Sequence, residues 1–132
     1  MSGYTLAVTL DRPYDATVAA VRGALADQAF GILTETDLKA TFKTKLDVDV
    51  VPQVILGACR PQLAHQALET DPSIAAVLPC NVVVRFVDAA TTTVEAFDPQ
   101  VMMGLADKPA LMTVATDARA RLTAALAALE ED

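Results

Sequence analysis

The sequence carries no catalytic triad, no glycine-rich phosphate loop and no metal signature. With one histidine, His65, and two cysteines, Cys59 and Cys80, it offers neither a Cys-x-x-Cys nor a His-x-x-x-His pair. The apolar residues make up 53% of the chain and the mean hydropathy is +0.37. They nevertheless never run uncharged for the ~18 or more positions that a bilayer requires, which excludes a transmembrane helix. The chain opens with Met1, Ser2, Gly3 and Tyr4 and reaches Asp11 and Arg12 after a short strand-like run. It thus lacks the basic region and long apolar core of a secretory signal, and a cytoplasmic protein is expected. In that compartment Cys59 and Cys80 are expected as reduced thiols rather than as a structural disulfide.

A length of 132 residues suits one domain with one substantial core. The net charge of −7 repels polyanions, so nucleic acid is disfavoured as a partner. Lys39, Lys43 and Lys45 form the only local basic cluster, and Asp37, Asp47 and Asp49 flank it closely enough to offset most of its field. The cluster reads as a solvated helix face. No repeat, glycine-serine linker or low-complexity tract divides the chain, and only the final Glu130, Glu131 and Asp132 are expected to fray.

Periodicity supplies the elements. Tyr4 to Leu10 alternates as a half-buried strand. Asp15 is the expected N-cap of a helix running to Ala29, with Gly31 as the left-handed residue that closes it. Ile32 to Thr36 reads as a short strand, and Asp37 caps an amphipathic helix bearing Leu38, Phe42 and Leu46. A strand from Gln53 to Cys59 follows Pro52, and a helix from Pro61 to about Thr70 stops before Asp71 and Pro72. Asn81 to Val87 and Thr92 to Phe97 form a hairpin, although its turn lacks glycine. A short apolar helix through Met102, Met103 and Leu105 precedes a long one from Pro109. The latter carries a continuous stripe of Leu111, Val114, Ala118, Leu122, Leu126 and Leu129. The hairpin points to an α+β fold, a mainly antiparallel sheet with helices packed on one face.

Both cysteines and the histidine fall between Gly57 and Asn81, at the boundaries of expected elements, where scaffolds present reactive groups. Cys59 precedes a helix N-terminus, which is expected to lower its pKa. His65, one turn further on, and Cys80, at the start of the next strand, are candidate partners, with Asn81 or Glu69 as an orienting group. Three soft or borderline ligands suit zinc, copper or haem but fall short of the four of structural zinc, so no metal set is assigned. The plain alternative makes Cys59 and Cys80 apolar fillers and His65 a surface residue. Glu35 with Asp37 and Asp47 with Asp49 could each face a hard cation in an extended segment, yet neither has the glycine turn of a calcium loop. Met102, Met103 and Met112, with Leu105 and Leu111, form an adaptable apolar group suited to core, pocket or dimer contact.

Several blocks, from Gly31 to Leu46, Ile55 to His65, Ala67 to Glu69, Leu78 to Val84 and Asp98 to Met103, together resemble the domain-of-unknown-function 302 (DUF302) family. The resemblance covers most of the chain. It implies a compact α+β domain with a curved antiparallel sheet backed by helices, dimeric, with no established activity, and it leaves the chemistry and any cofactor open. Two functions are carried forward. The favoured one is a non-enzymatic binding module, a homodimer with a small-molecule site around Gly57–His65 and Leu78–Asn81. The alternative is a thiol-based redox protein, a metal or haem binder or a minimal enzyme, using Cys59, His65 and Cys80.

Overall fold

A computed structural model describes residues 2–131 of the chain. The element order is β1 (Thr5–Leu10), α1 (Tyr14–Asp27), β2 (Gly31–Asp37), α2 (Leu38–Leu46), β3 (Gln53–Cys59), α3 (Pro61–Thr70), a 3-10 turn (Pro72–Val77), β4 (Cys80–Asp88), β5 (Thr91–Phe97), α4 (Pro99–Gly104) and α5 (Pro109–Glu131). The strands form one five-stranded sheet in the order β1-β5-β4-β3-β2, and every neighbouring pair is antiparallel. The fold is α+β, as the hairpin pattern predicts.

Side chains alternate across a strand, and here the alternation decides what each face does. Val8 and Leu10 of β1, Val54, Leu56 and Ala58 of β3, Cys80, Val82 and Val84 of β4, and Val94 and Ala96 of β5 are all buried. Most of this set packs with Val21 and Leu25 of α1 and Leu122, Ala125, Leu126 and Leu129 of α5. Cys80 instead joins a second cluster with Leu63 and Ala67 of α3, Met102 and Met103 of α4, and Leu111 to Ala118 of α5. Helix α5 therefore supplies both clusters. Each fully buried aliphatic side chain contributes about 1.5–3 kcal/mol of transfer free energy. The intervening positions Thr5, Asn81, Val83, Thr93 and Glu95 are half-buried or exposed and form an outer face over β1, β5 and β4.

Helix α1 begins at Tyr14 with Pro13 as its N-cap and no side-chain cap, so Asp15 sits inside the first turn instead of capping it. The hydroxyl of Thr17 donates to the Pro13 carbonyl at 2.9 Å, and that of Thr92 to the Arg12 carbonyl at 2.8 Å; these two buried polar groups tie the β1–α1 loop to the sheet. The left-handed residue after α1 is Ala29, with φ of 66°, rather than Gly31, because the chain turns at once after the C-cap Gln28. The Asp37 carboxylate accepts from the Ala40 amide at 3.0 Å and caps α2 as expected. None of the α2 residues is buried. The hairpin turn manages without glycine because the Asp88 carboxylate accepts from the Ala90 amide at 2.9 Å, a side-chain turn that needs no positive φ. Strand β2 pairs with β3 through a register shift between Ile32 and Thr34, leaving Leu33 at a bulge with 65% exposure. Of the three terminal acids, Glu130 and Glu131 continue α5, and Asp132 lies outside the described residues.

An L-residue in the left-handed region carries a strain of about 1–2 kcal/mol, only part of which glycine returns through the entropy of the unfolded chain. Ala29→Gly is therefore expected to raise the urea midpoint, by up to about 1 kcal/mol of stability. An unchanged or lower midpoint would show that the Ala29 methyl makes compensating contacts.

Candidate functional site

The register of β3 and β4 places the cysteines on neighbouring strands, one position out of line. Cys80 lies opposite Ala58, the residue before Cys59. Cys59, as the last residue of β3, lines the same small cavity as Cys80, together with Phe30, Arg60, Leu63 and Met103. That cavity is about 20 Å³, room for one water molecule. Burial pushes the Cys80 thiol up to about 11, reinforced by the charge of Cys59. Burial also raises Cys59. The lowering expected from the α3 N-terminus is thus overturned: loss of hydration outweighs the dipole, and both groups are neutral thiols at neutral pH.

His65 does not join them. It sits on the outer side of α3, with 77% of its side chain exposed, and its Nδ1 lies 3.1 Å from the Glu69 carboxylate. Leu63 and Ala67, on the buried side of the same helix, occupy the positions that face the cysteines. Glu69 orients the imidazole, but away from either thiol. Asn81 follows Cys80 directly, so the period of two sends it to the outer face. Hence the predicted set divides: Cys80 lies beneath the sheet, Cys59, one residue past the inward Ala58, stands in the outward phase at the edge of the cavity, His65 is in solvent and Asn81 is on the side opposite Cys80.

Among the described residues no group of three or more His, Cys, Asp or Glu is placed to hold a metal ion. Glu35 is paired with Arg22, and Asp37 with its helix. Asp47 and Asp49 both turn to Lys43, at 2.8 and 3.7 Å. The methionine group also divides: Met102, Met103 and Leu111 are core, while Met112 and Leu105 are exposed.

Arg60 is the N-cap of α3. Its Nη1 donates to Asp117 of α5 at 3.2 Å, and Asp117 also accepts from Arg121 Nε at 3.0 Å. The buried Nε of Arg60 finds no acceptor among the described residues.

A larger depression on the outer face escaped the reading of motifs. Tyr4, Thr5, Asn81, Val83, Glu95 and Phe97 enclose about 320 Å³. The rings of Tyr4 and Phe97 meet edge to face, with centroids 6.4 Å apart. Glu95 accepts from the Thr5 hydroxyl at 2.7 Å and from Arg85 at 2.9 Å. Those two bonds, Thr5 first, hold its carboxyl below the usual range, so it is ionised at neutral pH. The signal available in the sequence was alternation, which assigns Asn81, Val83, Glu95 and Phe97 to one side; their proximity to Tyr4 depends on β1 docking beside β5.

One antiparallel sheet, covered on its inner face by helices and hollowed on its outer one, defines a small α+β domain whose polar groups are spread over two faces. The chain belongs to the DUF302 family: the model for "Domain of unknown function DUF302" matches residues 6–129. Its fold is similar to the crystal structure of an uncharacterized conserved DUF302 protein from Bacillus stearothermophilus, with 28% sequence identity and a TM-score of 0.86 over 96% of this chain and 98% of that one. No curated protein matches the sequence. Among the described residues no helix is long and apolar enough to cross a membrane.

The raised Cys80 pKa carries a stability consequence. The folded state holds that proton more tightly, so the stabilisation is complete below the ordinary thiol value of 9.0 and is lost as pH climbs towards about 11. The loss attributable to Cys80 is roughly 2–3 kcal/mol. Urea midpoints of wild type and Cys80→Ala should therefore converge over that interval; parallel curves would refute the shift.

Proposed function

We propose that the chain is a non-enzymatic, homodimeric binding module that holds a small, largely apolar molecule against the outer face of its sheet. The observation that carries this reading is one of volume. The outer trough, at about 320 Å³, reaches the range of small-molecule sites, whereas the cysteine cavity, at about 20 Å³, does not. Tyr4, Phe97 and Val83 give the trough its apolar walls, and Asn81 and the ionised Glu95 give it hydrogen-bonding groups. Of the segments singled out in the sequence, Leu78–Asn81 reaches this site through Asn81 alone. The preferred ligand has a flat apolar body, to lie along the aromatic edges, and a hydroxyl or amine to donate to Glu95.

Dimerisation is supported by apolar residues at the opposite end of the strands. Leu46, Val48, Val51 and Val87 are 66, 45, 49 and 51% exposed. The hydrogen bond from the Phe86 amide to the Pro52 carbonyl holds Val51 and Val87 at the same end of β3 and β4. Such exposed aliphatics are commonly covered by a second subunit. A cytoplasmic setting suits the unbridged cysteines.

Nile red, a neutral apolar dye, should brighten on binding the wild-type protein and move amide resonances of β1, β4 and β5, and Val83→Asp should reduce its affinity at least tenfold. Shifts confined to α3 and α5 would place the site elsewhere. Native mass spectra should give a dimer that Val51→Asp combined with Val87→Asp turns into monomer; a monomeric wild type would remove the dimer from this proposal.

A further inference from the structure

Neither the trough nor the strand-end aliphatics make use of the open side of β1. We infer that this edge pairs with β1 of a second copy of the chain, antiparallel and about a two-fold axis through Ala7.

The phase of the ladder decides which backbone groups are free. Strand β1 is outermost, and its register with β5 runs unbroken from Thr5 opposite Phe97 to Leu10 opposite Thr92. Just before it, the Asp98 amide donates to the Tyr4 carbonyl at 2.9 Å. Hydrogen-bonded and non-hydrogen-bonded pairs alternate along an antiparallel ladder. Leu6, Val8 and Leu10 therefore bond to β5, and the amides and carbonyls of Thr5, Ala7 and Thr9 point away from it. Among the described residues no turn or loop takes up those groups. Charge and proline are common guards of a sheet edge, and Thr5–Leu10 has neither. A chain of net charge −7 thus meets its copy here without like charges face to face.

The strand is also complementary to itself. Opposite residues of an antiparallel pair share a face, so centring on Ala7 sets Thr5 against Thr9 of the second copy, Ala7 against Ala7, and Thr9 against Thr5. All the free residues are used, and roughly six hydrogen bonds form. Centring on Val8 instead would set Thr5 against Asp11, which lies in the bend after β1. On the outer face the hydroxyls already have partners, Thr5 with Glu95 at 2.7 Å and Thr9 with Thr93 at 3.0 Å, so pairing orphans neither. On the inner face the half-buried Leu6 comes against Val8 of the second copy and carries the core across the joint.

Helix α5 leaves room for this approach. Arg119 reaches Asp98 beside the start of β1, and Glu130 borders a hollow with Thr9 and Leu10 beside its end, so one side of α5 follows the edge. Between those anchors, at helical spacing on the same side, stand Thr123 and Ala127, both exposed and both small. They let two α5 helices draw close as the strands join, where bulky side chains would hold the strands apart.

One strand and one helix side make a small contact, so self-association is weak, with a dissociation constant on the order of 0.1 mM. The contact is separate from the one around Val51 and Val87; where both form, assemblies larger than a dimer result.

Hydrogen exchange of the full chain, followed by NMR in dilute and in concentrated solution, reads the pairing apart from the strand-end contact. Concentration should slow the Thr5, Ala7 and Thr9 amides several-fold, with Leu6 and Val8 protected throughout, and sedimentation should show larger species over the same range. Ala7→Pro deletes an amide that the chain's own ladder does not use, and Ala7→Lys sets two like charges together at the axis. Both should abolish the slowing at Thr5 and Thr9 and leave Leu6 and Val8 protected. Equal rates at every concentration, slowing that survives in both variants, or slowing along β2 instead would overturn the inference. So would slowing that appears only when a synthetic peptide of alternating threonine and valine is added, which would give the edge to a foreign strand.

Discussion

Both hydrophobic clusters of this fold depend on the seating of α5 against the inner face of the sheet. A 23-residue helix spans about 34 Å, long enough to serve both core clusters. Leu111, Val114, Ala115 and Ala118 close the cluster that contains Cys80, and Leu122, Ala125, Leu126 and Leu129 close the one over the centre of the strands. Among the described residues no other helix contributes buried side chains to both. The polar contacts at the cysteine end also depend on it, because Asp117, which holds Arg60, projects from the same helix. Withdrawing α5 would expose the Cys80 thiol and release α3 together.

Much of this arrangement was legible because proline and aspartate punctuate the chain. Strand β3 and helix α3 have the bounds read from Pro52, Pro61 and the Asp71–Pro72 pair. The long helix follows from its stripe alone. What escaped was local geometry with more than one chemical solution. A left-handed residue after α1 was expected at Gly31, and the chain placed alanine there two residues earlier. The Asp88 side chain performs the work of the absent turn glycine, and the 3-10 turn at Pro72–Val77, bridged by Asp71, lacks the periodicity of a full helical turn repeated.

The functional residues divide along the same line between local and distant information. That His65 avoids the cysteines follows from helical phase, since Leu63 and Ala67 take the inward positions. That Asn81 opposes Cys80 across the sheet follows from strand phase. The placing of Cys59 beside the strand of Cys80 required β3 and β4 to be neighbours, and the trough required β1, the first strand, to dock beside β5, the last. Strand order is a property of the whole topology, so neither could be deduced from spacing. The pKa of Cys59 is of this kind too: a helix N-terminus is visible in sequence, but the depth of packing that overrides it is not.

The bulge in β2 bears on how this molecule behaves in a crowded solution. An outermost strand presents unpaired amides and carbonyls to any passing extended chain, the first step towards fibrils. In β2 the extra residue at Leu33 breaks the even spacing that a docking strand must match, and Glu35 and Asp37 add negative charge beside it. The irregularity that leaves one leucine in water thus blunts the sheet as a template, so that β2 can end the sheet without inviting a sixth strand.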